Sequence, residues 1–307
     1  MTGNRIFVTG ASGYIGSVVV EQAIHQGYNV YALSRTEASD ERIRTLGATP
    51  VRGGLESHSV LQEQSAQADI VFHLADAWAG NFGKMDYAEV VRIDGGAVDA
   101  IGAGLKGTSK PLVVTSGTLV VAAHPDGLET NEESRLCEKP LNDRIKSEQH
   151  ALELCNQGIN VSAIRLAPWV YGRGGSGIRL FTIMFAGMKE VFYVDEGAAP
   201  TSVVHVDDAA RLYFLAAKKA QPGDIFNAVS STTVTARELA TAIAHTANLP
   251  LKSLSFDEVT NRMGEFMASF LSAENRASSQ KAKQKLGWEP RGPAVLDDIE
   301  NGSYSTR

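Results

Sequence analysis

This sequence of 307 residues has few cysteines, no excess of positive charge and no long apolar run. Its two cysteines, Cys137 and Cys155, form no CxxC pair and have no clustered histidines, so we predict neither a disulfide framework nor a metal site. The net charge of −6 disfavours binding to nucleic acid or an anionic membrane surface. No apolar run approaches the ~20 residues of a membrane span. The first residues also lack a basic stretch followed by an apolar one, and we expect a cytoplasmic protein.

The first half of the sequence alternates short apolar runs with helical patterns. The apolar runs are rich in β-branched residues, as is typical of strands buried on both faces, and they lie at 6–8, 30–33, 70–74, 112–115 and 161–166. The helical patterns end at or near a glycine and lie at 17–26, 37–46, 87–105 and 142–157. This alternation predicts an α/β fold, a doubly wound parallel sheet with helices on both faces.

The second half of the sequence is less regular. A glycine-rich turn at 172–177 precedes further helical patterns and two more apolar runs. The helical patterns lie at 178–188, 207–219, 235–248 and 256–271, and the apolar runs at 201–206 and 224–229. We predict a smaller region here, with some strands returning to the main sheet.

Three glycines join the first strand to the first helix in the stretch VTGASGYIG. Gly10 permits a tight turn, Gly13 lets a diphosphate approach the backbone, and Gly16 lets the helix pack closely on the strand. Because the helix N-terminus also offers free N–H groups, the pattern predicts a dinucleotide site, with a ligand-free turn as the alternative. The predicted contacts in this stretch are Gly10, Ser12, Gly13, Tyr14, Ile15 and Gly16.

The end of the second strand predicts which dinucleotide binds. Ser34 and Arg35 stand about 20 residues after the glycines, where an NAD site carries an acidic side chain. Arg35 can pair with a 2′-phosphate, to which Ser12 and Ser34 can donate hydrogen bonds. We therefore predict NADP(H). The alternative is that Arg35 points into solvent, Glu37 binds the ribose and NAD(H) is used.

Several ordered motifs resemble those of the extended short-chain dehydrogenase/reductase family, the NAD(P)-dependent epimerase/dehydratase group. They span nearly the whole chain and are VTGASGYIG, VFHLADA (71–77), LVVTSGT (112–118), IRLAPWVYG (164–172), VHVDDAARLY (204–213) and LGWEP (286–290). The resemblance implies an NADP-binding Rossmann domain over 1–170, with segments returning near 201–229. It implies a substrate-binding region over 171–200 and 230–307.

The same resemblance implies further contacts. Cofactor contacts are expected from Leu74, Ala75, Thr115 and Pro168. A homodimer through the helices at 87–105 and 142–157 is expected by analogy.

The family's chemistry normally uses a tyrosine and a lysine spaced as YxxxK, in which the lysine lowers the pKa of the phenol. This sequence has no tyrosine between Tyr87 and Tyr171, so the active-site helix cannot carry one. The resemblance therefore points to an atypical member, and standard alcohol or ketone chemistry is not implied.

Two registers remain open for that helix. If Lys146 takes the family's lysine position, Asn142 takes the tyrosine position. If Glu148 instead marks the register, Arg144 and Pro140 take the two positions. In either register the phenol is absent, and we expect Lys146 or Arg144 to hold the nicotinamide ribose or to polarise an oxygen.

Other side chains are candidates for the remaining chemistry. Ser116 and Thr118 end the fifth strand, where their hydroxyls can hydrogen-bond a substrate oxygen. Asp76 is a candidate carboxyl near the nicotinamide, with a loop or helix-capping role as the alternative. His124 can reach the pocket from its loop, or it is a surface histidine. The candidate catalytic residues are thus Asp76, Ser116, Thr118, Asn142 and Lys146.

Large apolar side chains are frequent where the family has its substrate cleft. They are Trp78, Phe82, Trp169, Tyr171, Phe181, Met184, Phe185, Met188, Phe192 and Tyr193. Core packing or a dimer face is the alternative. If they line a pocket, the substrate is an apolar or aromatic small molecule, and we predict an NADPH-dependent reductase of a carbonyl, quinone or enone. The alternative functions are a non-catalytic dinucleotide-binding sensor, or a lyase, isomerase or oxygenase-type enzyme.

Overall fold

Strands and helices alternate along residues 4–78, 81 and 84–305, which are the residues that this computed structural model describes. The strands are β1 Arg5–Thr9, β2 Asn29–Ser34, β3 Thr49–Arg52, β4 Ile70–His73, β5 Pro111–Gly117, β6 Asn160–Leu166, β7 Trp169–Tyr171, β8 Val191–Val194, β9 Pro200–His205, β10 Ile225–Ala228, β11 Ser231–Thr235 and β12 Leu251–Leu254. The α-helices are α1 Tyr14–His25, α2 Glu37–Thr45, α3 His58–Gln67, α4 Tyr87–Leu105, α5 Arg144–Glu153, α6 Ser176–Met188, α7 Val206–Lys219, α8 Ala236–Ala247, α9 Phe256–Met263, α10 Glu265–Ser272 and α11 Val295–Asn301.

Seven parallel strands form the central sheet in the order β10-β6-β5-β4-β1-β2-β3. Neighbouring strands place apolar residues in rows, because successive side chains point to opposite faces. One such row is Phe7, Val71, Leu112 and Val161, which packs under α3, α4 and α5. The residues one position later lie on the face covered by α1 and α7. The predicted α/β fold with a doubly wound parallel sheet is confirmed.

The second region is built around two smaller sheets. β11, β9 and β7 form one, and β12 pairs with β8 in the other. Of the segments expected to return near 201–229, Ile225–Ala228 joins the central sheet, whereas Pro200–His205 lies at the centre of the three-stranded sheet. An apolar cluster between α6, α8, α10 and α11 forms the interior of this region.

The sequence pattern did not indicate β3 and α3 in the first half of the chain or β7, β8, β11, β12 and α11 in the second, and one predicted helix is divided. β3 and α3 follow α2, and α3 packs so closely on α4 that a Cβ at Gly104 would overlap the backbone of Gln62. The helix predicted over 256–271 is two helices, since Gly264 has a φ of +87° and separates α9 from α10. Within the described residues, no helix is both long and apolar enough to span a membrane.

Candidate functional site

The glycine loop lies where the strand order of the central sheet reverses. β1 pairs with both β2 and β4, and ligands of such sheets bind outside the carboxyl ends of the strands at this point. Gly10 has a φ of +74°, and a Cβ there would lie 2.7 Å from the backbone nitrogen of Ala75. A Cβ at Gly16 would overlap the carbonyl oxygen of Gly10. The glycines therefore keep two backbone segments in contact and leave the start of α1 open to a diphosphate.

A groove of about 190 Å³ runs from this loop past the end of β2. Ser12, Arg35 and Ser39 line it, and Arg42 donates a hydrogen bond of 3.1 Å to the carbonyl oxygen of Ser12. Ser34 does not line the groove, because it is buried and its hydroxyl donates to the carbonyl oxygen of Thr36 at 3.2 Å. Sequence reasoning included Ser34 and missed Ser39, which lines the groove because α2 packs against the loop. It also missed Arg42, which holds the loop through the Ser12 carbonyl oxygen.

Tyr14 points away from the groove. Its hydroxyl donates to the carbonyl oxygen of Gly172 at 2.7 Å, and burial raises the pKa of the phenol far above its usual value. Tyr14 therefore ties α1 to the turn after β7 and is not a groove-lining residue. The expected cofactor contact of Tyr14 is therefore left to its backbone N–H at the start of α1, and it stays a prediction.

A cavity of about 350 Å³ continues from the groove and shares Leu74, Ala75 and Asp76 with it. Much of its surface is apolar, and its polar side chains come from the ends of β4 and β5 and the start of α5. The predicted site residues that line it are Ile15, Leu74, Ala75, Asp76, Thr115, Ser116, Thr118, Asn142 and Pro168. Asp76 and Arg144 are the ionisable side chains among the described residues of this lining.

Asp76 and Arg144 form an ion pair in the cavity wall. The Arg144 side chain is 24% exposed, and desolvation lowers its pKa, although a guanidinium still stays charged. Asp76 also accepts a hydrogen bond of 2.6 Å from the backbone nitrogen of Trp78 through its other oxygen. Both oxygens of the carboxylate are thus engaged, and the cation is fixed beside the end of β4.

Lys146 lies outside the cavity. Its side chain is 60% exposed and pairs with Asp143 at 2.8 Å. Glu148, two residues later, is buried and forms a two-point ion pair with Arg165 at 2.6 and 2.9 Å. Because Glu148 and Arg144 lie one turn apart on the buried face of α5, Arg144 points to the cavity and Lys146 to solvent. This corrects the prediction that Lys146 belongs to the site and favours the register with Arg144 and Pro140.

Three hydroxyls at the end of β5 differ in their partners. Thr115 donates to the carbonyl oxygen of His73 at 3.0 Å and accepts from the Tyr213 hydroxyl at 2.7 Å. Thr118 donates to Asn275 Oδ1 at 2.8 Å. The Ser116 hydroxyl is buried, 3% exposed, and has no hydrogen-bond partner among the described residues. Buried hydroxyls are normally satisfied, so Ser116 has capacity for a ligand oxygen.

The aromatic side chains that line the cavity are Phe266 and Phe270 of α10. The predicted pocket residue Trp169 is buried behind them, with its ring centroid 5.5 Å from that of Phe270. Side chains alternate along β7, so Val170 reaches the cavity while Trp169 and Tyr171 point into the interior.

The other predicted pocket residues also lie outside the lining. Phe185 packs on Phe192 within the interior at 5.0 Å between ring centroids, and Met184 is half-buried on α6. Trp78 contacts Phe266 from behind at 6.5 Å between ring centroids. Phe82 is outside the described residues. These placements correct the predicted pocket. Phe266 and Phe270 of α10 form its aromatic wall instead. The sequence could not indicate this, because it did not show where the predicted helix divides and so how its apolar residues are oriented.

His73 and the candidate His124 both have structural partners. His73 is buried, which lowers its pKa to about 4, and its Nδ1 is 2.8 Å from the Thr9 hydroxyl. The Thr9 hydroxyl also accepts from the backbone nitrogen of Ala75 at 3.1 Å. His124 accepts from the backbone nitrogen of Asp126 at 3.2 Å and does not line the cavity. Thr9 and neutral His73 therefore hold the segment that joins the groove to the cavity.

Comparisons with known proteins show the family of the chain. The chain matches the NAD dependent epimerase/dehydratase family over residues 6–228. An uncharacterized protein of Schizosaccharomyces pombe is 36% identical over 98% of this chain and 99% of its own length. The 4-hydroxy-2-methyl-3-oxo-4-farnesyl-3,4-dihydroquinoline-1-oxide ketoreductase of Stigmatella aurantiaca is 25% identical over 80% of this chain and 74% of that enzyme.

The solved structures include similar folds. A UDP-glucose 4-epimerase from Thermotoga maritima has a TM-score of 0.77 and 21% identity, covering 98% of this chain and 97% of that one. At this identity the likeness shows the fold alone. Taken with the family match and the glycine loop, it means that the chain belongs to the NAD dependent epimerase/dehydratase family.

Proposed function

We propose that the protein is an NADP(H)-dependent oxidoreductase that reduces an apolar or aromatic carbonyl, quinone or enone without a catalytic tyrosine. The observation that carries the proposal is the ion pair of Asp76 and Arg144 in a cavity that continues into the dinucleotide groove. Pro140 lines that cavity four residues before Arg144, where the family's pattern would place its tyrosine.

The described residues fit a dinucleotide. The glycine loop leaves no room for side chains and opens the start of α1 to a diphosphate. Arg35, Ser12 and Ser39 would face a 2′-phosphate, while Leu74 and Thr115 would flank the nicotinamide end. NADPH, when bound, supplies the hydride, and the protein contributes binding, orientation and electrostatics.

Arg144 is the residue that we expect to act on the substrate oxygen. A guanidinium is a poor acid, so it stabilises negative charge on an oxygen rather than protonating it. The Ser116 hydroxyl can donate a second hydrogen bond to the same oxygen. Hydride addition to a quinone or enone leaves a phenolate or enolate, which is weakly basic enough to take its proton from water. A simple ketone would leave a much more basic alkoxide, for which the lining offers no matched acid.

The shape of the cavity supports an apolar substrate. Its volume of about 350 Å³ is sufficient for a small ring system, and Leu119, Val170, Phe266 and Phe270 form much of its wall. A sugar nucleotide would need cations for its diphosphate, and Arg144 is the cation in the described lining. The Stigmatella aurantiaca relative carries the name of a ketoreductase of a farnesylated quinoline, and such a substrate matches this kind of wall.

A substrate panel tests the proposal. Purified protein is mixed with NADPH and, in turn, a quinone, a cyclic enone, an aryl ketone and UDP-glucose, and NADPH oxidation is followed by absorbance. We expect turnover of the quinone or enone, slower reaction of the aryl ketone and none with UDP-glucose. Tight NADPH binding without turnover of any apolar substrate would contradict the proposal and favour a dinucleotide-binding sensor.

The cofactor preference is tested by Arg35→Ala. Loss of a charge-assisted contact with the 2′-phosphate should weaken NADPH binding by about 10- to 100-fold, with NADH binding unchanged. Arg44→Ala is the matched control, because Arg44 is an exposed arginine of the neighbouring helix α2 and does not line the groove. Calorimetric titration of each variant with both dinucleotides gives the comparison, and an equal loss for NADH would assign Arg35 another role.

A further inference from the structure

Asp94 is a buried carboxylate to which the mechanism above gives no part. It lies in α4, is 8% exposed, and its Oδ1 accepts a hydrogen bond of 3.0 Å from the backbone nitrogen of Ala77. Burial raises the pKa of this carboxyl from 3.8 to about 6, and no cation of the described residues contributes to the shift. An ionised carboxylate without a cation is costly to bury, so at neutral pH Asp94 lowers the stability of the fold.

The hydrogen bond between Ala77 and Asp94 connects α4 to the candidate site, because Ala77 is next to Asp76 in the chain. Ala77 stands between Asp76, which pairs with Arg144, and Trp78, whose backbone nitrogen donates to Asp76. Two carboxylates therefore hold the turn at 76–78. The Asp76 carboxylate belongs to the turn itself, and the Asp94 carboxylate belongs to α4. Movement of this turn would displace the carboxylate that fixes the Arg144 guanidinium.

The same turn supports the aromatic wall. The Trp78 ring lies 5.0 Å from that of Tyr87 and 6.5 Å from that of Phe266, measured between centroids. Ala77 packs with Val90 and Ile93 in a small apolar cluster beneath it. The position of Ala77 therefore affects both the charged and the apolar side of the cavity.

We propose that Asp94 is a positioning residue, whose carboxylate fixes the turn at 76–78 so that Asp76 holds Arg144 at the cavity. The inference rests on the proposed function, since it concerns the same site. A carboxylate makes a hydrogen bond to a backbone N–H that is roughly twice as strong as one from a neutral acceptor. An asparagine at position 94 would lower the free-energy cost of burial, but its hydrogen bond with the backbone N–H of Ala77 would be weaker.

Several ionisable side chains lie on the elements around Asp94. Tyr87 is on the same helix, and its pKa is raised chiefly by burial and also by Asp94 and Asp143. His58 of α3 and His150 of α5 contact the two glycines that follow Asp94. Asp143 at the start of α5 acts on the same phenol of Tyr87, and Asp76 pairs with Arg144 next to Ala77.

Asp94→Asn separates positioning from simple packing. We expect the midpoint temperature of unfolding at neutral pH to rise by about 3 °C or more, because a buried unpaired charge is removed. We expect kcat to fall by about tenfold with little change in the KM for NADPH, because the reacting groups are less well aligned. Asp99→Asn is the matched control, since Asp99 is exposed on the same helix and bonds to His150.

The pH dependence has a defined sign. The folded-state pKa of Asp94 lies above its ordinary value, so the ionised group destabilises the fold, and stability falls as pH rises from about 4 to about 6. That fall should be smaller in Asp94→Asn. The kcat of the wild type should decrease below about pH 6 as Asp94 is protonated, and this acid limb should be absent from the variant.

The outcomes distinguish the two proposals. If Asp94→Asn gains stability and keeps full kcat, Asp94 has no positioning role and the inference is overturned. If the wild type reduces no substrate, the proposed function fails by itself, and amide hydrogen exchange over 74–78 then decides the inference. Faster exchange in Asp94→Asn than in Asp99→Asn supports positioning, and equal exchange refutes it.

Discussion

Arg144→Met should lower kcat/KM for the substrate by about 100- to 1000-fold, the usual effect of removing a group that stabilises charge in the transition state. The methionine fills similar space but carries no charge. NADP⁺ binding should change by about threefold or less, because the contacts to the diphosphate lie elsewhere. Steady-state kinetics and calorimetric titration of the same preparation measure the two effects. Arg144→Lys should retain part of the activity, since it keeps a charge but loses the planar donor fork.

The variant also removes the partner of Asp76, so stability must be separated from catalysis. Leaving one member of a buried pair without its counter-charge can cost about 3–5 kcal/mol, and less where the pair is partly exposed as here. The double variant Arg144→Met/Asp76→Asn should recover much of this loss without recovering activity. Recovery of turnover in the double variant would show that Arg144 is needed for folding alone.

Lys146→Met is the matched control for the register of α5. Lys146 lies two residues away and is exposed, so its removal should change kcat/KM by about twofold or less. A large loss in Lys146→Met together with an active Arg144→Met would mean that the cation at the site is Lys146 after all.

Gly16→Ala should abolish dinucleotide binding and destabilise the fold. The added Cβ would overlap the carbonyl oxygen of Gly10 and lie 2.9 Å from the Cα of Ala11, and both are backbone atoms that cannot rotate away. Such overpacking costs about 1–3 kcal/mol or more. The loop would have to move off α1, which removes the contacts for a diphosphate. Thermal unfolding with and without NADP⁺ measures both effects, because bound cofactor raises the midpoint of a competent protein.

Gly187→Ala is the matched control, because Gly187 lies in helix α6 and an added Cβ would meet no described atom within 4 Å apart from its chain neighbours and the backbone of its own helix. It should leave NADP⁺ binding unchanged and raise stability by about 0.5–1 kcal/mol, as alanine suits a helix better than glycine does. Wild-type NADP⁺ affinity in Gly16→Ala would show that the loop does not hold the diphosphate.

The central sheet could be predicted because its strands are buried on both faces. Continuous β-branched runs such as those in β1 and β5 stand out in a sequence, and their alternation with helices limits the topology. β3 and α3 could not be predicted in the same way. The α3 sequence HSVLQEQSAQ has few apolar residues, and it is held by close packing against α4 at Gly104.

The chain sequence by itself determined the glycine loop, the family and the absence of a tyrosine from the active-site helix, since each depends on residue identity at short spacing. Tertiary structure alone decided which cation meets the cavity. The buried pair of Glu148 and Arg165 sets the rotation of α5, which turns Arg144 inward and Lys146 outward. It also decided the cavity wall, because the bend at Gly264 brings Phe266 and Phe270 over a site far from them in the sequence.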